Sequence, residues 1–263
     1  MVDTLLPKRF IGSCCIERTG SGFTAALRRA TLPPQEIPEH KHVSAHLVLA
    51  IDEGYLSRAK GAANRSRPMT LVYNPSNMIH RDCFSSTGSR FLSIDLEPHL
   101  LTTAHCDPIV VETSSARFAA ARIAGILSMD YADNAEIEDL LLAIVAGLES
   151  PPTTSRTVPA WLKVASEALT DLASDSGLQI RDIAQAVGVH PVHFARTYRA
   201  HFGLSPGAAL RQHRLANAVA LMTKNQRLAE VAVDAGFADQ SHMTRAFRRD
   251  YSTTPARFRS AFE

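Results

Sequence analysis

The sequence has few cysteines and no long apolar run, and both shortages narrow the class of protein. Its 263 residues contain four cysteines, two of which, Cys14 and Cys15, are adjacent. Adjacent cysteines form a disulfide only with strain, so a disulfide-stapled domain is excluded and reduced thiols are expected. The longest apolar run near the middle, residues 140–148, is too short to cross a bilayer. Because the first residues also lack a signal-peptide pattern, a cytoplasmic protein without a membrane partner is expected.

An overall excess of one charge is also lacking, because the net charge is only +2. The two halves of the chain nevertheless differ. Residues 1–155 carry 14 basic and 17 acidic side chains, a net charge of −3. Residues 156–263 carry 14 basic and 9 acidic side chains, a net charge of +5. A basic second half joined to a mildly acidic first half predicts that only the second half meets a polyanion.

The stretch between residues 10 and 100 predicts short strands separated by turn-forming residues. β-Branched, aromatic and leucine side chains recur over short spans, and segments rich in Pro, Gly, Asp and Asn interrupt them. Several short strands with frequent turns predict an antiparallel barrel or sandwich rather than a parallel sheet. The predicted strand segments are 23–30, 45–51, 69–74 and 90–97.

Beyond residue 110 the apolar period changes from that of strands to that of helices. Residues 115–131 and 135–150 carry apolar side chains at three- and four-residue spacing. Their apolar faces are wide enough to pack against the barrel or against another subunit, so a homodimer is expected. The polar, proline-rich residues 151–159 predict a linker between two domains.

The remainder of the chain predicts helices, and the last long one has a basic outer face. A helix that opens near Asp239 places Met243, Phe247 and Tyr251 on one side. The opposite side then carries Ser241, Arg245, Arg248 and Arg249. A helix, a glycine turn and a helix with an arginine face are typical of a helix-turn-helix unit in the DNA major groove. A packed helix pair with a solvated basic face has the same pattern. The earlier predicted helices are 158–174, 180–187, 191–202, 206–225 and 228–236.

This half contains an internal repeat. Ile183, Ala184 and Gly188 recur 48 residues later, and a second set recurs 49 residues later, so one residue has been added at the second turn. The first set recurs as Val231, Ala232 and Gly236. The second set consists of Phe194, Arg196, Tyr198, Arg199 and Pro206. It recurs as Met243, Arg245, Phe247, Arg248 and Pro255. A repeat of this kind indicates one structural unit used twice.

Residues 160–261 resemble the AraC/XylS family of bacterial transcription regulators. The most diagnostic segment is GFADQSHMTRAFRRDYSTTPARFR, 236–259, and the first motif, 180–206, also fits, with His190 where a serine cap is commoner. The resemblance implies two helix-turn-helix motifs, at about 180–202 and 228–251, held by one long helix at about 207–224. It also implies that both recognition helices enter successive major grooves of a double-stranded DNA operator.

The resemblance carries DNA-contacting roles to particular positions. In the second recognition helix Gln240, His242 and Arg245 face bases, and Arg248 or Arg249 lies nearer to phosphate. In the first recognition helix the base-facing positions are held by Val192, Ala195 and Arg196, and helical spacing points Arg199 the same way. Arginine can pair with guanine, glutamine with adenine, and valine with the thymine methyl group. For each single side chain a phosphate or solvent contact is the alternative.

The first half resembles the cupin-like sensor that this family often carries. The cupin ligand pattern is matched by His40 and His42, then by His46, and finally by His80, which ends the segment 75–80. His46 stands where that pattern has glutamate, and Asn77 stands where it has glycine. Converging imidazoles suit Zn²⁺, Ni²⁺, Cu²⁺ or Fe²⁺. The same histidines are also consistent with a small organic effector or with a purely structural role.

These features predict an α+β chain of two domains. Residues 1–150 are expected to form a cupin-like antiparallel β-barrel with two helices, for effector sensing and dimerisation. Residues 160–263 are expected to form the all-α, AraC-type DNA-binding domain. The function that follows is a sequence-specific transcription regulator under the control of a metal or small-molecule effector, with RNA polymerase as a partner if it activates. The alternative is a metal-dependent cupin enzyme fused to a DNA-binding domain.

Overall fold

The structure, a computed structural model, describes residues 3–6, 10–57, 66–101, 106–111, 113–131, 133–149, 158–222 and 226–263. The chain divides into two compact units. The first comprises Met1–Glu149 together with Tyr251–Glu263, and the second comprises Ser150–Asp250. The predicted linker, 151–159, lies outside the described residues up to residue 157. The predicted domain limits therefore stay a prediction.

The first unit is built on short strands, as its sequence predicts. All four predicted strands are confirmed, as β3, β5, β7 and β10, and shorter strands lie between them. The strands are β1 (Asp3–Leu5), β2 (Ser13–Gly20), β3 (Phe23–Arg29), β4 (His40–His42), β5 (Ala45–Ala50), β6 (Tyr55–Leu56), β7 (Thr70–Asn74), β8 (Ile79–His80), β9 (Cys83–Phe84), β10 (Arg90–Leu96) and β11 (Ile109–Val110).

The strands form one large sheet and two small ones. The large sheet has the order β11-β7-β5-β10-β3-β2, and all its pairs are antiparallel. The small sheets are β1-β4-β8, in which β1 and β4 are parallel, and β6-β9. A mixed α+β fold with an antiparallel sheet is thus confirmed. The predicted closed barrel is not formed by the pairings of the described residues, because the edge strands β2 and β11 do not pair with each other.

The register of the large sheet sets one row of polar residues at the end of a largely apolar face. His46 pairs with Asn74 on one side and with Asp95 on the other, so these polar residues lie in one row. The next residue of β5, Leu47, pairs with Tyr73 and Ile94 in an apolar row on the opposite face. The row of His46 is buried as well, so its polar groups need hydrogen-bond partners: Asn74 bonds to His46, and Asp95 accepts from the hydroxyl of Ser44.

The helices begin and end close to the limits that the apolar period predicts. In the first unit α1 (Ser114–Leu127) and α2 (Asn134–Glu149) pack on each other, and α1 also packs on β3 and β7. None of the helices in the described ranges is long and apolar enough to cross a membrane. The other helices are α3 (Ala160–Asp171), α4 (Ile180–Ala186), α5 (Pro191–Phe202), α6 (Pro206–Leu221), α7 (Leu228–Asp234), α8 (Gln240–Tyr251) and α9 (Pro255–Ser260).

In the second unit the two repeats share the helix α6. The first repeat is α4 and α5, and its core joins Phe194 and Tyr198 to side chains of α3 and α6. The second repeat is α7 and α8, which bury Val231, Met243 and Phe247. Because α6 packs on α5 at one end and on α7 further along, it connects the two repeats in the way that the sequence predicts.

The last residues of the chain pack within the first unit. The Ser128 hydroxyl donates a buried hydrogen bond to Thr253 (3.2 Å), and Arg257 forms an ion pair with Asp130. The ring of Phe262 is buried, and the guanidinium of Arg90 lies 5.3 Å from its centroid. These contacts join positions more than a hundred residues apart, and local sequence pattern does not indicate them.

The two turn glycines of the repeats differ in the space around them, which predicts unequal effects of alanine. Gly188 (φ +70°) has open space where a Cβ would lie, so Gly188→Ala should cost only left-handed strain, about 1–2 kcal/mol. Gly236 (φ +89°) is different, because a Cβ there would overlap the carbonyl oxygen of Ala173. We expect Gly236→Ala to lower the free energy of unfolding by roughly 2–5 kcal/mol, the strain plus overpacking. Urea denaturation of both variants measures the difference, and equal losses would contradict the close approach at Gly236.

Candidate nucleic-acid interface and histidine cluster

The helices α5 and α8 begin in equivalent ways. His190 precedes α5, and its Nδ1 accepts a hydrogen bond from the backbone N–H of Val192 (3.3 Å). Asp239 precedes α8, and its carboxylate accepts from the N–H of His242 (2.6 Å). A side-chain acceptor at this position satisfies one of the free N–H groups of the first turn. His190 therefore replaces the commoner serine as a cap without loss of the hydrogen bond.

Each of these two helices has a buried side and an exposed side. Phe194, Tyr198, Met243, Phe247 and Tyr251 are all buried, which confirms their predicted place in the core. Of the predicted DNA-contacting residues, Ala195 and His242 are half-buried at the margin of the exposed side. The exposed ones are Val192, Arg196, Arg199, Gln240, Arg245, Arg248 and Arg249.

The exposed arginines are available to an external anion. Within the described residues, the side chains of Arg196, Arg199, Arg245 and Arg248 form no ion pair and no hydrogen bond. Arg249 approaches the buried carboxylate of Asp250 only to 3.8 Å, while that carboxylate accepts a hydrogen bond from Arg211 (2.9 Å). A run of uncompensated guanidinium groups attracts phosphate and can form paired hydrogen bonds with guanine.

In the first unit, four histidines lie together beside a small cavity. The antiparallel pairing of β4 with β8 sets His40 opposite His80, and both rings turn inward with His42. One side-chain nitrogen from each of these three residues lies within 4.8 Å of the other two, close enough for the three to hold one metal ion. The ring of His46 is 4.1 Å from that of His42, centroid to centroid, but it lies outside this set of three.

Backbone contacts orient two of the three imidazoles. The Nδ1 of His40 donates to the carbonyl of Pro38 (3.0 Å), and the Nδ1 of His80 donates to the carbonyl of Met78 (3.1 Å). These bonds place the proton on Nδ1 and leave the Nε2 lone pair free. Metal-binding histidines are commonly held by a hydrogen bond of this kind from the other ring nitrogen. Two of the three imidazoles are therefore oriented as metal-binding histidines commonly are.

His46 belongs to a neighbouring hydrogen-bond network. Its Nε2 accepts from the side-chain amide of Asn74 (3.2 Å), which also donates to the carboxylate of Asp82 (3.0 Å). The hydroxyl of Tyr55 donates to the same carboxylate (2.6 Å). Because the Nε2 lone pair of His46 is occupied, His46 supports the cluster from the side. The Oδ1 of Asn74 is buried without a hydrogen-bond partner in the described structure, so one acceptor remains next to the cluster.

The buried imidazoles of His42, His46 and His80 are held neutral. Burial, followed by the neighbouring charges that His80 and His40 would carry, lowers the pKa of His42 to about 3. Burial likewise lowers the pKa values of His46 and His80, although Asp82 raises that of His80 in part. A neutral imidazole keeps the lone pair that a metal ion needs, so at neutral pH His42 and His80 can each offer a nitrogen to a cation.

The turn before His80 and the cavity complete the geometry. Asn77 has a left-handed backbone (φ 59°) and donates its N–H to the carbonyl of His42 (2.7 Å). Asparagine tolerates this conformation, which explains how it replaces the glycine of the cupin pattern. Phe10 closes the cluster from another side, with its ring 4.8 Å from that of His42. The cavity measures about 40 Å³, room for roughly three waters at 10–15 Å³ each.

Comparison with known proteins identifies the second half of the chain. Residues 183–261 match a helix-turn-helix domain family model. The probable transcription factor PqrA of Proteus vulgaris is 33% identical over 91 residues, which are 34% of this chain and 75% of that protein. The chain belongs to the AraC/XylS family of DNA-binding transcription regulators.

Other AraC/XylS relatives match over a smaller share of their length. The arabinose operon regulatory protein of Salmonella typhimurium is 28% identical over 131 residues, 48% of this chain and 45% of that one. The chain therefore spans less than half of this relative. The crystal structure of the DNA-binding domain of AdpA in complex with a target DNA is 25% identical, covering 39% of this chain and 91% of that one, with a TM-score of 0.36.

Sequence reasoning missed several residues around the histidines of this AraC/XylS chain. Asn74 and Phe10 contact the cluster directly, yet neither stands at a motif position. Asp82 and Tyr55 are linked to it through hydrogen bonds that lead from Asn74. Asn74 had one usable signal, because a polar residue that ends an apolar strand is expected to find a buried partner. The other contacts depend on pairing between distant strands.

Proposed function

We propose that the chain reads an operator with α5 and α8 in successive major grooves. The observation that carries this proposal is the doubled helix with uncompensated guanidinium groups at equivalent positions, Arg196 and Arg245. Two helices held by one shared helix suit two grooves about one turn, or 34–36 Å, apart on one face of DNA. In this proposal the chain is a sequence-specific regulator whose partner is double-stranded DNA.

The exposed side chains divide into base readers and phosphate contacts. Arg196 and Arg245 lie in the first half of their helices and are assigned to guanine. Arg199 and Arg248 lie one turn further along, where the helix leaves the groove floor, and are assigned to the backbone with Arg249. Smaller roles at the bases are assigned to Val192, Ala195, Gln240 and His242. Base contacts supply specificity, whereas phosphate contacts supply affinity for any sequence.

Replacing Arg245 separates these two roles. We expect Arg245→Ala to weaken binding to an operator selected from random DNA by about 1–3 kcal/mol, while binding to unrelated DNA stays nearly unchanged. Titration of both DNAs at one salt concentration measures the difference. The matched control is Arg181→Ala, since Arg181 is an exposed arginine on α4 that lies 3.6 Å from its neighbour Asp182. An equal loss on both DNAs would make Arg245 a phosphate contact and contradict its assignment as a base reader.

The effector assigned to the first unit is a divalent transition metal. Three buried imidazoles, two of them oriented by backbone carbonyls, form the donor set that Zn²⁺, Ni²⁺, Cu²⁺ or Fe²⁺ accepts. The cavity of about 40 Å³ suits an ion with a few waters, which favours a metal over a large organic effector. When bound, the metal supplies a fixed positive charge and a bond to each ligand that joins β4 to β8. In this cupin-like sensor His40, His42 and His80 are the ligands, and His46 with Asn74 positions them.

Effector control requires the first unit to change what the DNA-binding part does. An ion that joins β4 to β8 orders the small sheet next to Phe10. If the ion binds one conformation of the first unit more tightly than another, its binding shifts the balance between the two conformations.

A homodimer is proposed through α2, whose outer side leaves Leu142 60% exposed. Sedimentation of the full chain tests this, because a strict monomer at micromolar concentration would remove the proposal. Contact with RNA polymerase follows only if the regulator activates.

A further inference from the structure

Two thiols lie side by side on an open edge of the large sheet. Cys14 and Cys15 are both free and exposed on β2. In the described structure β2 pairs with β3 alone, so no strand covers its outer edge. The pair belongs to the first unit and is not among the residues of the histidine cluster. Cys83, by contrast, is buried next to the cavity.

A bulge directs both cysteines toward one residue of the neighbouring strand. Cys14 pairs with Arg28, whereas Ile16 pairs with the next residue, Leu27, so the register slips by one at Cys15. Neighbouring side chains of a regular strand point to opposite faces. A bulge instead sets two residues against one. Cys14 and Cys15 therefore share the position across from Arg28.

A disulfide between these two neighbouring cysteines would be strained. Consecutive Cα atoms lie about 3.8 Å apart, whereas the Cα atoms of ordinary disulfides lie about 4.4–6.8 Å apart. The strain favours the dithiol, in which both sulfurs are open to an external ligand. Two sulfurs on one short segment also act together. Once a ligand is bonded to one sulfur, the other sulfur is held close to that ligand at a high effective concentration.

The surroundings keep both groups as thiols. Partial burial raises the pKa of Cys14 and that of Cys15, and the guanidinium groups of Arg28 and Arg29 lower them only in part. Cys14 itself raises the pKa of Cys15, so the two sulfurs interact. A ligand at this pair must therefore displace two protons, and soft ions that bond strongly to sulfur do so most readily.

We propose that Cys14 and Cys15 form a second ligand site, separate from the histidine cluster, for a thiophilic species of the trivalent arsenical class. With an arsine oxide, both S–H bonds and the arsenic–oxygen bond break, two arsenic–sulfur bonds form, and one water leaves with the two protons. Arsenic stays trivalent throughout, so the step needs no oxidant or reductant. The product is a small ring that includes both sulfurs and the peptide unit between them.

Phenylarsine oxide tests the site on the full-length protein. We expect one adduct, measured by intact mass as the reagent minus one water, and about 100-fold weaker uptake in Cys14→Ser and in Cys15→Ser, because each variant loses the second sulfur. Cys106→Ser is the matched control, since Cys106 is also exposed but has no adjacent cysteine. Uptake that is unchanged in both β2 variants, or that is lost in Cys106→Ser, would overturn the proposal. Neither result bears on the DNA-binding residues or the histidines.

Discussion

Replacing Phe247 by alanine lowers the free energy of unfolding of the second unit by about 3–5 kcal/mol. The ring is fully buried in α8, so its removal takes apolar surface out of the core and leaves a cavity that the helix fills only in part. Arg245 and Arg248 lie on the opposite side of the same helix and are exposed. The loss therefore reports packing, not DNA contact.

The sole tryptophan makes this measurement specific to the second unit. Trp161 lies in α3, with its ring centroid 6.3 Å from that of Phe194, so its fluorescence follows the unfolding of this unit. Arg248→Ala is the control on the same helix and should stay within about 0.5 kcal/mol of the parent chain. A Phe247→Ala chain that unfolds at the parental denaturant concentration would contradict the assignment of α8 as a helix with one buried and one DNA-facing side.

Loss of His42 should remove metal binding altogether at micromolar concentrations. The unaltered chain is expected to bind one Zn²⁺, because His40, His42 and His80 bring three nitrogens together. His42→Ala should weaken Zn²⁺ binding by more than about 100-fold, since loss of a ligand exceeds the 10–100-fold effect of a residue that only supports a ligand. His46→Ala should fall within that smaller range, because the Nε2 of His46 already accepts from Asn74.

Competition with a chromophoric chelator measures these affinities in the folded proteins. His99→Ala is the control, since His99 is an exposed histidine away from the cluster. A parent chain that takes up no Zn²⁺, Ni²⁺, Cu²⁺ or Fe²⁺ would refute the metal proposal. Equal losses in His42→Ala and His46→Ala would instead show that all four histidines are ligands.

The helical half was predictable because its signals are local. The residues of α5 occupy 191–202 as predicted, and Arg196 and Arg245 lie on exposed sides, as the repeat in the sequence predicts. Apolar residues that recur with a period of 3.6 indicate which side of a helix is buried, and a glycine turn indicates where the helix ends. The core residues of α5 and α8 follow directly from that period.

The first half was less predictable because its contacts are not local. β4 and β8 are three and two residues long, too short for an alternating pattern, yet their pairing brings His40 next to His80. His46 is left out of the proposed metal ligands because its Nε2 accepts a hydrogen bond from Asn74, which lies 28 residues away in the sequence. The parallel pairing of β1 with β4 is likewise invisible in local sequence.

A footprint on a selected operator tests the paired-reader account most directly. The account predicts two protected major-groove segments about 10–10.5 base pairs apart, centre to centre. It also predicts that Arg196→Ala relaxes base preference in one segment only, and that Arg245→Ala relaxes it in the other. A single protected segment, or two variants that lose preference at the same base pairs, would contradict the claim that the two repeats read DNA together.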